Sequence, residues 1–194
     1  MDLDRLTFAC ATGPEERAAR RAGHRTARIG VCVRRGAPAG ELVSFGVAGG
    51  MNGSPIGTVI DATRVVDEQG ATLWEGPGLG VGRPGTILAM SRLVDDPAEL
   101  RRLHERTGAD AVDMESGVLA ATGRLRGCVR AISDTPREPL GPLGQVVTPD
   151  GRFRPAGLVA LARHPAAAAR ALGNIRRALR ALSSTSATEG SGSA

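Results

Sequence analysis

Apolar and polar positions along the chain switch repeatedly between strand-like runs and helical stripes. Residues 6–11 are apolar and end at Thr12-Gly13, which predicts a first strand entering a turn. Pro14-Glu15-Glu16 then opens a helix to about Arg21, because Pro suits a first helical turn and carboxylates suit the positive helix end. Residues 27–34 alternate as a second strand, residues 35–40 are turn-like, and residues 42–47 form a third strand closing on Gly46-Val47-Ala48-Gly49-Gly50. The β-branched, apolar residues 58–66 read as a strand and residues 67–70 as a turn. Residues 76–85 carry five glycines and two prolines and read as a loop, and residues 86–90 follow as a strand.

Asp96-Pro97-Ala98-Glu99 has the cap, first-turn Pro and third-position Glu of a helix start, and that helix runs to about Arg106 with Leu100 and Leu103 inward. Residues 111–114 are a short apolar run, residues 115–122 look helical, and residues 129–132 have the pattern of a buried strand ending at Ser133-Asp134. Residues 141–154 are loop-rich, and residues 155–182 are helical with a reset at Pro165. Leu172, Ile175, Leu179 and Leu182 form the stripe expected to pack inward. Alternating strands and helices predict one α/β layered domain over residues 1–182, with a central mixed, largely parallel sheet flanked by helices. Residues 183–194 are small and polar and read as a disordered tail.

The chain is 194 residues long, enough for one domain with a sizeable core. With three Phe, one Trp and no Tyr, that core must be aliphatic. All basic side chains are Arg, and the formal net charge is +5. The arginines cluster only at residues 17–21 and 176–180, and no aromatic side chains interleave with them, which argues against nucleic acid as a partner. Each cluster reads first as a solvated helix face and second as an attraction to an anionic membrane surface. Cys10, Cys32 and Cys128 lie far apart, and their odd number without a signal-like start points to the reducing cytoplasm. No metal site is expected, because His24, His104 and His164 cluster with no cysteine.

Three of the strands end in unusual chemistry, which motivates one site built from several strand ends. Glycines after a strand, as in residues 46–50, let a backbone approach a ligand, and they suit an ordinary turn equally well. Asp113-Met114-Glu115 sets two carboxylates beside a helix start, where Glu115 suits a capping acid as well as a binding group. Asp134, directly after a strand, suits a turn residue as well as a general acid.

Taken together and in this order, Gly46-Val47-Ala48-Gly49-Gly50, Val112-Asp113-Met114-Glu115 and Ser133-Asp134 resemble the purine nucleoside phosphorylase and methylthioadenosine/S-adenosylhomocysteine nucleosidase superfamily. Thr107-Gly108-Ala109 and the Arg/Ala/Leu-rich C-terminal stretch look most like the hopanoid-associated phosphorylases of the adenosylhopane nucleosidase type. The resemblance implies a nucleoside phosphorylase-like fold and cleavage of a purine N-glycosidic bond, with adenosylhopane in hopanoid biosynthesis as one substrate. It assigns Asp134 as the acid at the purine N7 and Glu16, or its neighbour Glu15, as the group orienting the nucleophile. Val47, Ala48, Gly49, Val94, Asp113, Met114, Glu115 and Ser133 would hold base and ribose. No cofactor is implied. Water is favoured as nucleophile. Phosphate is the alternative co-substrate and would need Arg64 or arginines near Gly13. A homo-oligomer is implied, and a lipid-linked substrate would add peripheral membrane association and an apolar channel that the loop at residues 76–85 would permit. A shortened relative that binds nucleosides without turnover is the competing class. Two departures favour it: residues 35–41 leave no room for the helix usual after the second strand, and Ser133-Asp134-Thr135-Pro136 replaces the usual acidic extension.

Overall fold

The structure is a computed structural model and describes residues 2–146 and 162–185. Strand β1 (Thr7–Cys10) runs into helix α1 (Gly13–Arg21), followed by β2 (Thr26–Arg28), β3 (Leu42–Gly50), β4 (Val59–Val66), β5 (Thr72–Glu75) and β6 (Arg83–Ala89). Helix α2 (Pro97–Thr107), β7 (Ala111–Asp113), α3 (Ser116–Ala120), β8 (Leu125–Asp134) and α4 (Pro165–Ser183) complete the described elements, with a 3-10 turn at Gly141–Val146. The sheet is mixed, as the sequence predicts: β1 pairs in parallel with β2 and β3, as do β3 with β8 and β6 with both β4 and β7, while β3–β7, β4–β5 and β4–β8 are antiparallel. Because β8 bonds to both β3 and β4, the pairings close a circuit through β3, β8, β4, β6 and β7. Helices pack on this frame: Ala18 and Ala19 of α1 and Ala178 and Leu182 of α4 join Phe8, Phe45 and Val129 in one core cluster. Leu100 and Leu103 of α2 join Val66, Leu88 and Val94 in another.

Several boundaries differ from the expected ones. The second strand stops at Arg28, because Gly30, Cys32 and Val33 take positive φ angles of 75°, 53° and 55° and turn the chain sharply. β8 begins at Leu125, four residues earlier than predicted. β6 begins at Arg83 within the expected loop, where Gly85 allows close approach to Ile60 and Asp110. The remaining glycine-rich segment is pinned to β4: Asp61 Oδ2 accepts backbone N–H bonds from Leu79, Gly80 and Val81 at 2.7, 2.7 and 3.2 Å. β5 was not foreseen; it is an exposed edge strand with little burial to pattern it.

Helix α4 also turns differently from its leucine stripe. Its buried residues are Ala168, Ala171, Asn174, Ala178 and Leu182, whereas Leu172 is 42% exposed. Small alanines let the helix lie close on the sheet, which turns Leu172 outward while Leu182 stays in the core. The expected helix at residues 155–161, the loop at 147–154 and the tail beyond Thr185 lie outside the described residues. Among the described residues no helix is long and apolar enough to cross a membrane.

Candidate active site

The site forms where β3 changes neighbours. Phe45 is the last β3 residue paired to β1, and Gly49 is the first paired to β7. On that side residues 46–48 form a free strand edge, the kind of topological break at which α/β sheets place ligands. A cavity of about 210 Å³ opens there. Val47, Ala48, Gly49, Val94, Asp113, Met114, Glu115, Ser133 and Asp134 all border it, so the three motifs meet. Glu16 does not.

Glu15 takes the place expected of Glu16. Thr12 caps α1, and Glu15 three residues later closes a capping box, its Oε2 accepting from Thr12 N and Thr12 Oγ at 2.7 Å each. Its Oε1 accepts from Val47 N at 2.9 Å, satisfying the free edge of β3. A Cβ at Gly46 would lie 2.3 Å from that Oε1, so only glycine lets the carboxylate reach the strand. One position further, Glu16 turns outward to Arg20 at 2.7 Å and Arg28 at 3.9 Å.

Asp113 and Glu115 divide their work. The Asp113 carboxylate has no exposed surface; it binds Arg130 through both Nε, at 2.8 Å, and Nη2, and accepts from Ser116 N and Oγ. It therefore supports the site from beneath, its residue bordering the cavity while its carboxylate is engaged by Arg130 and Ser116. Arg130, 2% exposed, also donates to Ser44 Oγ at 2.6 Å and stands 4.0 Å from Glu115. Burial opposes its charge, but the surrounding groups, Asp113 foremost, hold it protonated.

Glu115 stands at the N-cap of α3 without making a side-chain cap bond. Its Oε1 instead accepts from Cys32 N at 3.0 Å. The left-handed turn at Cys32 and Val33, which lies within the expected second strand, thus aims a backbone donor at this carboxylate. Burial first, then the Asp113 charge, pushes Glu115 up to about 7 against the pull of Arg130.

Asp134 ends β8 beside Gly49, where a Cβ would come within 3.1 Å of its Oδ2. Burial pushes it up to about 6, opposed by the Ser133 hydroxyl, which donates to Oδ1 at 2.7 Å, and aided by the Asp95 charge. Glu15 is fixed at Val47 and Asp134 packs at Gly49, two residues along one strand, a spacing of about 7 Å. Leu93, Val94, Leu140, Leu143 and Gly144 make this end apolar.

Sequence reasoning missed Arg130 and left open which of Glu15 and Glu16 faces the cavity. An arginine inside the apolar run at residues 128–132 was a signal for the first, and the Thr12–Glu15 capping-box spacing a signal for the second. Neither Arg64 nor the arginines near Gly13 border the cavity; Arg92 does, engaged by Glu99. None of residues 76–85 borders it, so that loop forms no channel into the site. Among the described residues no group of three or more His, Cys, Asp or Glu side chains is arranged to hold a metal ion.

Comparison with known proteins agrees with this architecture. Residues 81–148 match the family model of the Phosphorylase superfamily. No curated protein sequence matches the chain. The fold is shared with the 5'-methylthioadenosine/S-adenosyl homocysteine nucleosidase of Helicobacter pylori, at 13% identity, a TM-score of 0.59 and 96% coverage of both chains. It is also similar to the 5'-methylthioadenosine nucleosidase of Arabidopsis thaliana (13% identity, TM-score 0.58, 95% of this chain and 93% of that one). The futalosine hydrolase of Helicobacter pylori matches at 12% identity and TM-score 0.54 over 90% of this chain and 97% of that one. The chain thus has the mixed α/β fold of the nucleosidase structures.

Proposed function

We propose that the protein is a nucleosidase that hydrolyses the N-glycosidic bond of a purine nucleoside of the adenosyl type. The observation that carries the reading is the placement of Glu15, Glu115 and a high-pKa Asp134 around one cavity at the free edge of β3. In the reaction the C1'–N9 bond breaks, its electron pair passes to the base, and Asp134 gives a proton to N7 so that the purine leaves neutral. Positive charge builds on the ribose ring. Glu115, held by Cys32 N, binds the ribose hydroxyls and stabilises that charge. Met114 packs against the sugar, Val94 lies by the base, and Glu15 orients the water and accepts its proton as the new C1'–O bond forms.

Hydrolysis is favoured over phosphorolysis by charge. Glu15, Asp113 and Glu115 gather at the end where the nucleophile enters; among the described residues Arg92 is the one arginine that borders the cavity, and it is engaged by Glu99, while Arg130 is paired with Asp113. A phosphate dianion would meet carboxylates there, and among the described residues bordering the cavity no arginine is left uncommitted to hold it.

The test is base release from adenosine, 5'-methylthioadenosine and adenosylhopane, each with and without phosphate. Free purine and ribose products independent of phosphate are expected. Ribose 1-phosphate as product would overturn hydrolysis, and binding without base release from all three would overturn the enzymatic reading. Turnover of adenosylhopane over the other two would place the protein in hopanoid biosynthesis.

A further inference from the structure

The two arginine clusters, more than 150 positions apart in sequence, meet on the surface. Arg17 and Arg21 of α1 and Arg176 and Arg180 of α4 line one groove of about 280 Å³, with Leu179 on its wall and no acidic side chain. All four are exposed, and none takes part in a salt bridge among the described residues. The acids of α1 are turned elsewhere, Glu15 to the cavity and Glu16 to Arg20. Helix α4 has no acidic residue over its length of about 28 Å, and it exposes Arg170 and Arg177 as well. Leu172 lies one turn before Arg176 on the same stripe and is 42% exposed.

We infer that this face docks the protein on an anionic lipid bilayer. An uncompensated row of arginines along a helix matches an extended array of phosphates better than one small anion. Leu172 and Leu179, set among the arginines, supply apolar surface for the boundary between headgroups and acyl chains. Base-stacking aromatics, which a single-stranded nucleic acid would use, are missing from both helices. The docking face is independent of the chemistry at the cavity, which is formed by other side chains.

The test is co-sedimentation of the full chain with phosphatidylcholine vesicles containing or lacking phosphatidylglycerol, across a salt series. Binding is expected only to the anionic vesicles and is expected to fall with salt. At about 1 kcal/mol per basic residue at an anionic surface, each lost arginine weakens partitioning about fivefold, so R176Q/R180Q should lose about 25-fold. R101Q/R102Q, on the exposed face of α2, removes the same charge and should bind as wild type; an equal loss would reduce the effect to net charge and overturn the assignment. Binding to neutral vesicles alone, tighter binding to duplex DNA, or retention of inorganic phosphate without vesicle binding would also overturn it. Matching melting curves would establish that the variants fold. R176Q/R180Q is expected to keep its turnover of soluble nucleosides, so this inference and the nucleosidase reading fail separately.

Discussion

Asp113 and Arg130 form an ion pair withdrawn from solvent, with 0% and 2% of their side chains exposed. The pair ties β7 to β8 beneath the cavity, and Ser44 of β3 completes its hydrogen bonding. Removing one charge leaves the other buried and unmatched. Arg130→Met should therefore destabilise by about 3–5 kcal/mol, read as a lower urea midpoint. Arg130→Met combined with Asp113→Leu should recover much of that loss while leaving base release impaired. A single variant as stable as wild type would mean that the pair does not hold the strands together.

Asp134→Asn removes the proposed proton donor and should lower base release about 10²–10⁴-fold. Glu15→Gln should likewise lower it by at least about 10²-fold if Glu15 serves as general base. Glu16→Gln, which loses an i,i+4 pair with Arg20 worth about 0.3–0.5 kcal/mol and a longer contact with Arg28, should leave turnover nearly unchanged. Equal losses in the two glutamate variants would remove Glu15 from the mechanism.

Gly46→Ala tests the approach of Glu15 to β3 without changing a charge. The added methyl would meet Oε1 at 2.3 Å and push the carboxylate off Val47 N. A fall in turnover is expected with little change in nucleoside binding. Wild-type kinetics would show that this hydrogen bond is not needed.

Two raised carboxyl groups give a defined pH dependence. Asp134 rises from 3.8 to about 6 and Glu115 from 4.5 to about 7, so in each the neutral form is favoured by folding. Their contribution to stability is complete below the unfolded values and is lost as pH climbs through the folded ones. The melting temperature of Asp134→Asn relative to wild type should therefore be higher at pH 8 than at pH 4.5. Turnover needs Asp134 protonated and Glu115 ionised, the reverse of their relative acidities. kcat/KM should trace a bell centred between pH 6 and 7, with only a minor population active. A profile flat across that range would reject the assignment of the two roles.

The fold was legible wherever burial patterned the sequence. β1, β3, β4 and the end of β8 are apolar runs closed by turn residues, and Asp96-Pro97 with Glu99 marked α2 almost to the residue. What escaped was set by tertiary partners. β8 hid its first four residues behind Arg126 and Gly127, because an exposed arginine, here paired with Glu41, reads as surface rather than strand. The second strand read too long because left-handed Cys32 and Val33 are residue types that rarely adopt that geometry. In α4 the leucines outweighed the alanines in the pattern, yet close packing buried Ala168, Ala171 and Ala178 beside Asn174 and Leu182 and left Leu172 outside. The candidate site was legible from its three motifs, while Glu15 and Glu16 differ only in which side of α1 each faces.

The edge of β3 left free over residues 46–48 carries one more consequence. The interval between Val47, where Glu15 is hydrogen-bonded, and Gly49, where Asp134 packs, is a count of peptide units within one strand. Enlarging or hollowing the interior, for instance at Leu88 or Leu103, would lower the melting point yet leave that interval intact. Such variants should keep their turnover at temperatures below melting and lose it together with the strand, in one cooperative step.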